Sequence, residues 1–169
     1  MKLRYSIALS LPLASASAMG ADLALKLDVP QLNVAEYHRP YIAAWLENSD
    51  QKVVANLAVL YDTKKKDNAG TKWLKDMRQW WRKTGRELTM PLDGVSGATR
   101  APGEVTLNIP KGSLDKLPAG QYTVLVEASR EAGGREVVKV PLQWPPKSAQ
   151  NVSGQGKEEL GAVVVQVKP

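Results

Sequence analysis

The chain has no cysteine in 169 residues and a single histidine, His38. Without cysteine there is no disulfide, no thiolate metal ligand, no thiol redox chemistry, no cysteine nucleophile and no acylated N-terminal lipid anchor. One histidine cannot build a two-histidine metal centre or a zinc hydrolase site, and it leaves most Ser-His-Asp schemes incomplete. It lies in Tyr37-His38-Arg39-Pro40, just before an apparent strand, and reads as a loop residue rather than a catalytic base. Long apolar runs are also lacking. Beyond the first residues no stretch is apolar for long enough to span a bilayer, so no transmembrane segment is expected in the mature chain. Strong charge of one sign is missing as well: the formal net charge is +6, and +4 without Lys2 and Arg4. Lysine and arginine read as spread along the chain rather than gathered with aromatics on one face, and no nucleic-acid partner is expected. Lys64-Lys65-Lys66 reads as a solvated loop, with an acidic partner or a phosphate contact as the alternative.

The N-terminus has the form of a secretory signal peptide. Lys2 and Arg4 precede an apolar stretch from Ile7 to Leu13, and the small residues Ala16-Ser17-Ala18 follow. Cleavage after Ala18 is expected, with Ala21 as the alternative, leaving residues 19–169 as one exported, periplasmic domain. A chain of that size can hold itself together by its core without disulfides.

Most of the mature chain has the two-residue period of strands. Leu23, Leu25, Leu27 and Val29 share one face of an expected strand over Asp22–Val29. Tyr41 to Glu47 and Val53 to Tyr61 form an expected hairpin, with Tyr41 and Trp45 on one buried face. Further strands are expected over Glu104–Ile109, from Tyr122 through Ala128, from Val138 through Trp144, and over Gly161–Val167. The turn at Gly133-Gly134 joins two of these into a second hairpin. Residues 145–159, rich in Pro, Gly, Ser and Gln, read as a mobile loop. One segment breaks the pattern: Trp73, Leu74, Met77, Trp80 and Trp81 recur at helical spacing and predict one amphipathic helix over Thr71–Thr84, ended near Gly85. The expected fold is mainly β, an immunoglobulin-like antiparallel β-sandwich with one short inserted helix.

Asp93-Gly94-Val95-Ser96-Gly97-Ala98-Thr99 resembles the flavinylation motif of bacterial membrane-bound flavoproteins, in which an aspartate precedes a Ser/Thr-Gly-Ala-Thr/Ser core. The resemblance implies FMN joined through a phosphoester to Thr99, with the protein as substrate of a flavin transferase. The transferase would bind FAD and a metal, direct the Thr99 hydroxyl at the flavin-side phosphorus and release AMP. Asp93 would serve recognition of the loop, Ser96 would open the motif core, Gly97 and Ala98 would let the transferase close over the backbone, and Arg100 would offset the phosphate. Trp80 and Trp81 are candidates to stack on the isoalloxazine, although core packing accounts for most of the tryptophans. Many versions of the motif carry a hydroxyl residue three positions after the acceptor, where this chain has Pro102. Without modification, the same residues read as a turn feeding the strand at Glu104 or as a loop for a noncovalent ligand.

Several blocks in order resemble the family of predicted periplasmic proteins called domain of unknown function 2271. They are Arg39-Pro40-Tyr41 through Glu47, Trp73-Leu74 with Trp80-Trp81, Ser96 through Gly103, and Glu127 through Glu131 with Gly133-Gly134-Arg135. That resemblance implies an exported sandwich protein found beside PepSY-type membrane proteins and flavin transferases. The expectation is therefore an electron carrier without catalysis of its own. The alternative is a nonredox accessory module that holds a membrane partner.

Overall fold

The computed structural model describes residues 20–169. The expected leader, residues 1–18, lies outside the described residues. The apolar alternation is realised as two sheets. One has four strands in the order β5 (Gly103–Ile109), β1 (Asp22–Val29), β9 (Ala162–Lys168) and β8 (Gln150–Gln155). The other has five, in the order β4 (Ser96–Ala98), β3 (Val53–Tyr61), β2 (Tyr41–Asn48), β6 (Gly120–Ser129) and β7 (Arg135–Trp144). The protein is mainly β and sandwich-like, as its sequence predicts.

Both predicted hairpins form. β2 pairs with β3 across a tight turn in which Asn48 Oδ1 accepts the amides of Asp50 and Lys52. β6 pairs with β7 in uninterrupted register from Gly120 opposite Trp144 to Ser129 opposite Arg135. All pairings are antiparallel except one: β3 and β4 run parallel, Val59 opposite Ser96 and Tyr61 opposite Ala98.

The five-stranded sheet is covered on both faces, which explains why β2 is buried along nearly its whole length. Its inner face sends Ile42, Ala44, Leu46, Val124, Val126 and Val140 against Leu25, Leu27, Val163 and Val165 of the opposite sheet. Its outer face sends Ala43, Trp45, Val59, Tyr61 and Leu125 against Leu74, Met77 and Trp80, which come from a helical layer. A bulge in β3 puts Leu57 and Ala58 together on the inner face and so re-phases the strand between the two cores. Tyr41 and Trp45 do share a face, but it is this outer one.

The helical layer departs from the single helix predicted over Thr71–Thr84. It is a 3-10 stretch over Lys66–Asp76, a break at Met77, an α-helix α1 over Arg78–Lys83 and a 3-10 turn over Gly85–Glu87. The break has a tertiary cause. The Glu127 carboxylate on β6 accepts the amides of Gln79 at 3.1 Å and Trp80 at 2.7 Å, and so fixes where α1 starts. Of the two adjacent indoles, Trp80 is fully buried with its Nε1 on Asn56 Oδ1, and Trp81 is half-buried.

A second correction concerns residues 145–159. Their polar composition reads as a loop, yet Gln150–Gln155 forms β8, an edge strand whose Val152 packs on the inner core while Asn151 and Ser153 face solvent. Alternation carried by one valine among polar residues is too weak to show through composition. The loop that follows is tied down by Glu136, whose carboxylate accepts the amides of Lys157, Glu158, Glu159 and Leu160 at 2.7 to 3.1 Å. Burial pushes that carboxyl up, but the four amide bonds outweigh burial and hold it below the ordinary carboxylate range. Beside it, Arg130 and Glu159 form a buried bidentate pair with both N···O distances at 3.0 Å.

Candidate functional site

β3 and β4 run in the same direction, so their carboxyl ends finish side by side. The Thr99 amide, one residue past β4, donates to the Tyr61 carbonyl at the end of β3 at 3.2 Å. This pairing seats the motif on the sheet and overturns the expectation of a freely exposed loop. Ser96, Gly97, Ala98 and Thr99 are all half-buried, while Asp93, Gly94 and Arg100 are exposed.

The segment before β4 is a built turn. Ser96 Oγ accepts the Leu92 amide at 2.8 Å, and the Ser96 amide returns to the Leu92 carbonyl at 2.9 Å. Gly94 holds φ at +67°, a conformation costly for any side chain, within that turn. Ser96 therefore closes the turn that aims β4, and Gly97 packs on Leu60, where a Cβ would come within 3.0 Å of the leucine Cδ2.

Thr99 and Ala98 line one wall of a cleft of about 410 Å³ at this end of the sheet. The opposite walls come from the approach to β2, with Tyr37, His38, Arg39 and Tyr41, and from the exit of β3, with Asp62, Thr63, Lys64 and Lys65. Glu131, in the turn between β6 and β7, closes the rim. The Tyr41 hydroxyl donates to the Gly70 carbonyl at 3.0 Å, and its ring meets Tyr61 edge-on at 6.3 Å. Gly70 has to be glycine, since a Cβ there would sit 2.0 Å from the Asp62 carbonyl oxygen. Burial raises the Tyr37 and Tyr41 phenols above their ordinary pKa, so both stay neutral donors at neutral pH. His38 lies between two carboxylates, 3.3 Å from Glu36 and 3.8 Å from Glu131. It remains in a loop, as its sequence context predicts, but one that faces the cleft.

The predicted site residues are thus brought together only in part. Thr99 and Ala98 face the cleft, Ser96 and Gly97 support β4 behind it, Asp93 stands in the exposed turn, and Arg100 takes no part in the lining. The cations beside Thr99 are instead Arg39, Lys64 and Lys65. Neither Trp80 nor Trp81 reaches the cleft, because both pack into the outer core. The nearest indole is Trp73, which lines a small adjoining recess with Arg39 and Tyr41 and carries the Lys65 ammonium 4.1 Å from its ring centroid. Sequence reasoning missed Tyr37, Arg39, Tyr41, Asp62 and Glu131 because they lie between 32 and 62 positions from Thr99. The one signal that pointed to them was the pairing of the Arg39-Pro40-Tyr41 block with the Ser96–Gly103 block in a single resemblance.

The cleft has a size in the range of small-molecule sites, and its lining combines two phenol rings, the cations Arg39, Lys64 and Lys65, the carboxylates Asp62 and Glu131 and the Thr99 hydroxyl. Among the described residues no group of three His, Asp or Glu side chains is arranged to hold a metal ion.

Fold and cleft together define a β-sandwich protein with one covered sheet and a polar end pocket. Residues 22–162 match the family described as predicted periplasmic protein (DUF2271), and the chain belongs to that family. The family description agrees with the export predicted from the N-terminus. No curated protein and no solved structure matches the chain. Among the described residues no helix is long and apolar enough to cross a membrane.

Proposed function

We propose that this periplasmic protein is an electron carrier bearing FMN covalently on Thr99. The observation that supports the reading is the placement of the Thr99 side chain: it lines a cleft that also holds Tyr37, Tyr41, Arg39, Lys64 and Lys65. In the attachment step the Thr99 oxygen forms a bond to the flavin-side phosphorus of FAD, the bridging P–O bond breaks, AMP leaves, and the hydroxyl proton passes to the transferase. The protein is then the substrate of that enzyme and has no catalysis of its own. Bound FMN supplies reversible one- and two-electron chemistry. The residues of this chain do the rest: Arg39 and Lys65 offset the phosphoester charge, the neutral phenols of Tyr37 and Tyr41 flank a planar ring, and the sheet below keeps the site rigid. A covalent link suits an exported carrier, since a dissociated cofactor outside the cytoplasm is lost to dilution. A PepSY-type membrane protein is the proposed redox partner.

Coexpression with a flavin transferase, followed by intact mass and visible absorbance, tests this. The expected product is yellow and heavier by one FMN residue, and Thr99→Ala is colourless and unlabelled. A wild-type chain that stays unlabelled where a known acceptor is labelled overturns the reading and favours a nonredox accessory module.

A further inference from the structure

The linear reading treats lysine and arginine as dispersed, but one segment of the chain concentrates them. Between Asp62 and Glu87 the sequence carries nine Lys and Arg against four Asp and Glu, whereas the rest of residues 20–169 carries twelve against thirteen. The whole positive excess therefore sits in the helical layer and the strand exit leading into it, and the rest of the domain is slightly negative. The apolar side chains of this layer, Leu74, Met77 and Trp80, point into the outer core. Its cations are left on the solvent side: Lys65, Lys72, Lys75, Arg78 and Arg82 are all exposed. Lys83 alone turns back, to Glu47 at 2.9 Å.

We infer that this layer is a docking surface for an anionic phospholipid bilayer. Three observations favour a bilayer over an acidic protein. The cations are spread from Lys64, just before the layer, to Arg86 in its last turn, which matches a surface of delocalised charge rather than a focused partner. No large apolar side chain is exposed in the layer; among the described residues the exposed ones are Val34 and Val54, both elsewhere. A stable protein interface is centred on such an anchor, and electrostatic adsorption to lipid headgroups does not need one. Finally, the layer holds two half-buried indoles, Trp73 and Trp81, and the amphipathic indole is the side chain suited to headgroup depth. Lys64 and Lys65 line the cleft and lie directly before this layer in the chain, so docking would bring the cleft close to the membrane. That orientation suits a membrane-embedded redox partner, but the inference does not depend on flavin attachment.

Cosedimentation of the mature, unmodified chain with vesicles tests it. Vesicles of phosphatidylglycerol mixed equally with phosphatidylethanolamine should retain the protein at low salt, and phosphatidylcholine vesicles should not. Raising salt to about 0.5 M should release it, because exposed charges are then screened within a few ångströms. The triple variant Lys72→Gln, Lys75→Gln, Arg82→Gln should weaken binding by at least about tenfold, given roughly a severalfold contribution from each cation near an anionic surface. The control triple Lys26→Gln, Lys111→Gln, Lys168→Gln removes the same charge from the opposite sheet and its end, and should leave binding within about twofold. Thermal melting of both triples checks that they fold. Equal losses in the two triples would reduce the effect to net charge and overturn the inference. So would failure of the wild-type chain to distinguish the two vesicle types, which would leave the layer to an acidic protein surface.

Discussion

The two faces of the five-stranded sheet are built on different principles. The inner face is an apolar layer, mostly Leu, Val, Ile and Ala with Tyr122 and Trp144, against a second sheet. The outer face holds a smaller apolar set, and its cover is fastened by polar hooks: Glu127 on the amides of α1 and on Arg135, Asn56 on Trp80, and Glu47 on Trp45 and Lys83. An apolar interface tolerates sliding and repacking as long as volume is kept, whereas a buried carboxylate fixes one register and is destabilising when a partner is lost. The inner core therefore holds the sandwich together, and the outer core sets the position of the helical layer, which follows directly on the strand exit that lines the cleft.

Four substitutions or conditions would break or sharpen that contrast. The largest effect is expected from Trp80→Ala, which empties the centre of the outer core and should cost about 4 kcal/mol. Amide exchange should speed up first over residues 66–87 while β1 and β9 stay protected; equal deprotection of both would show one cooperative unit and erase the distinction. Glu127→Ala leaves the Gln79 and Trp80 amides without an acceptor and Arg135 without its carboxylate, and a loss of about 3 kcal/mol in denaturant unfolding is expected. The acid limb comes next. The folded pKa of Glu136 is held down, so its contribution is complete above the ordinary carboxylate value of about 4.3 and is lost as pH falls through the folded value. Melting temperature should fall in that acid range, and Glu136→Gln should flatten this part of the profile. Because the group is partly exposed, the effect is screened and smaller than that of Glu127. The smallest change is expected for Thr99→Ala, within about 0.5 kcal/mol, since its backbone bond to Tyr61 survives the substitution.

The inner face was open to sequence reasoning and the outer face was much less so, for a physical reason. Alternation such as Leu23, Leu25, Leu27, Val29 reports a strand with one buried side, and every strand of that kind was placed correctly. The break at Met77 was invisible because helical spacing continues through it; it is imposed by Glu127, about 50 positions away. β4 escaped notice because a three-residue parallel edge strand of Ser, Gly and Ala has neither β-branched residues nor alternation. The motif resemblance singles out Thr99, and that residue does line the cleft. Its surroundings were not legible: Arg100 and the Trp80-Trp81 pair are neighbours in sequence, while Tyr37, Arg39 and Lys65 are neighbours in space.

The central claim is that one hydroxyl, Thr99, carries the cofactor. Trypsin cuts after Arg86 and Arg100, so residues 87–100 form one peptide with three hydroxyl side chains, Thr89, Ser96 and Thr99. After coexpression with a flavin transferase, fragmentation of that peptide should place a single FMN on Thr99, and none on Ser96, whose oxygen already closes the turn to Leu92. An FMN located on Ser96, on Thr63 across the cleft, or on no residue at all would contradict the account.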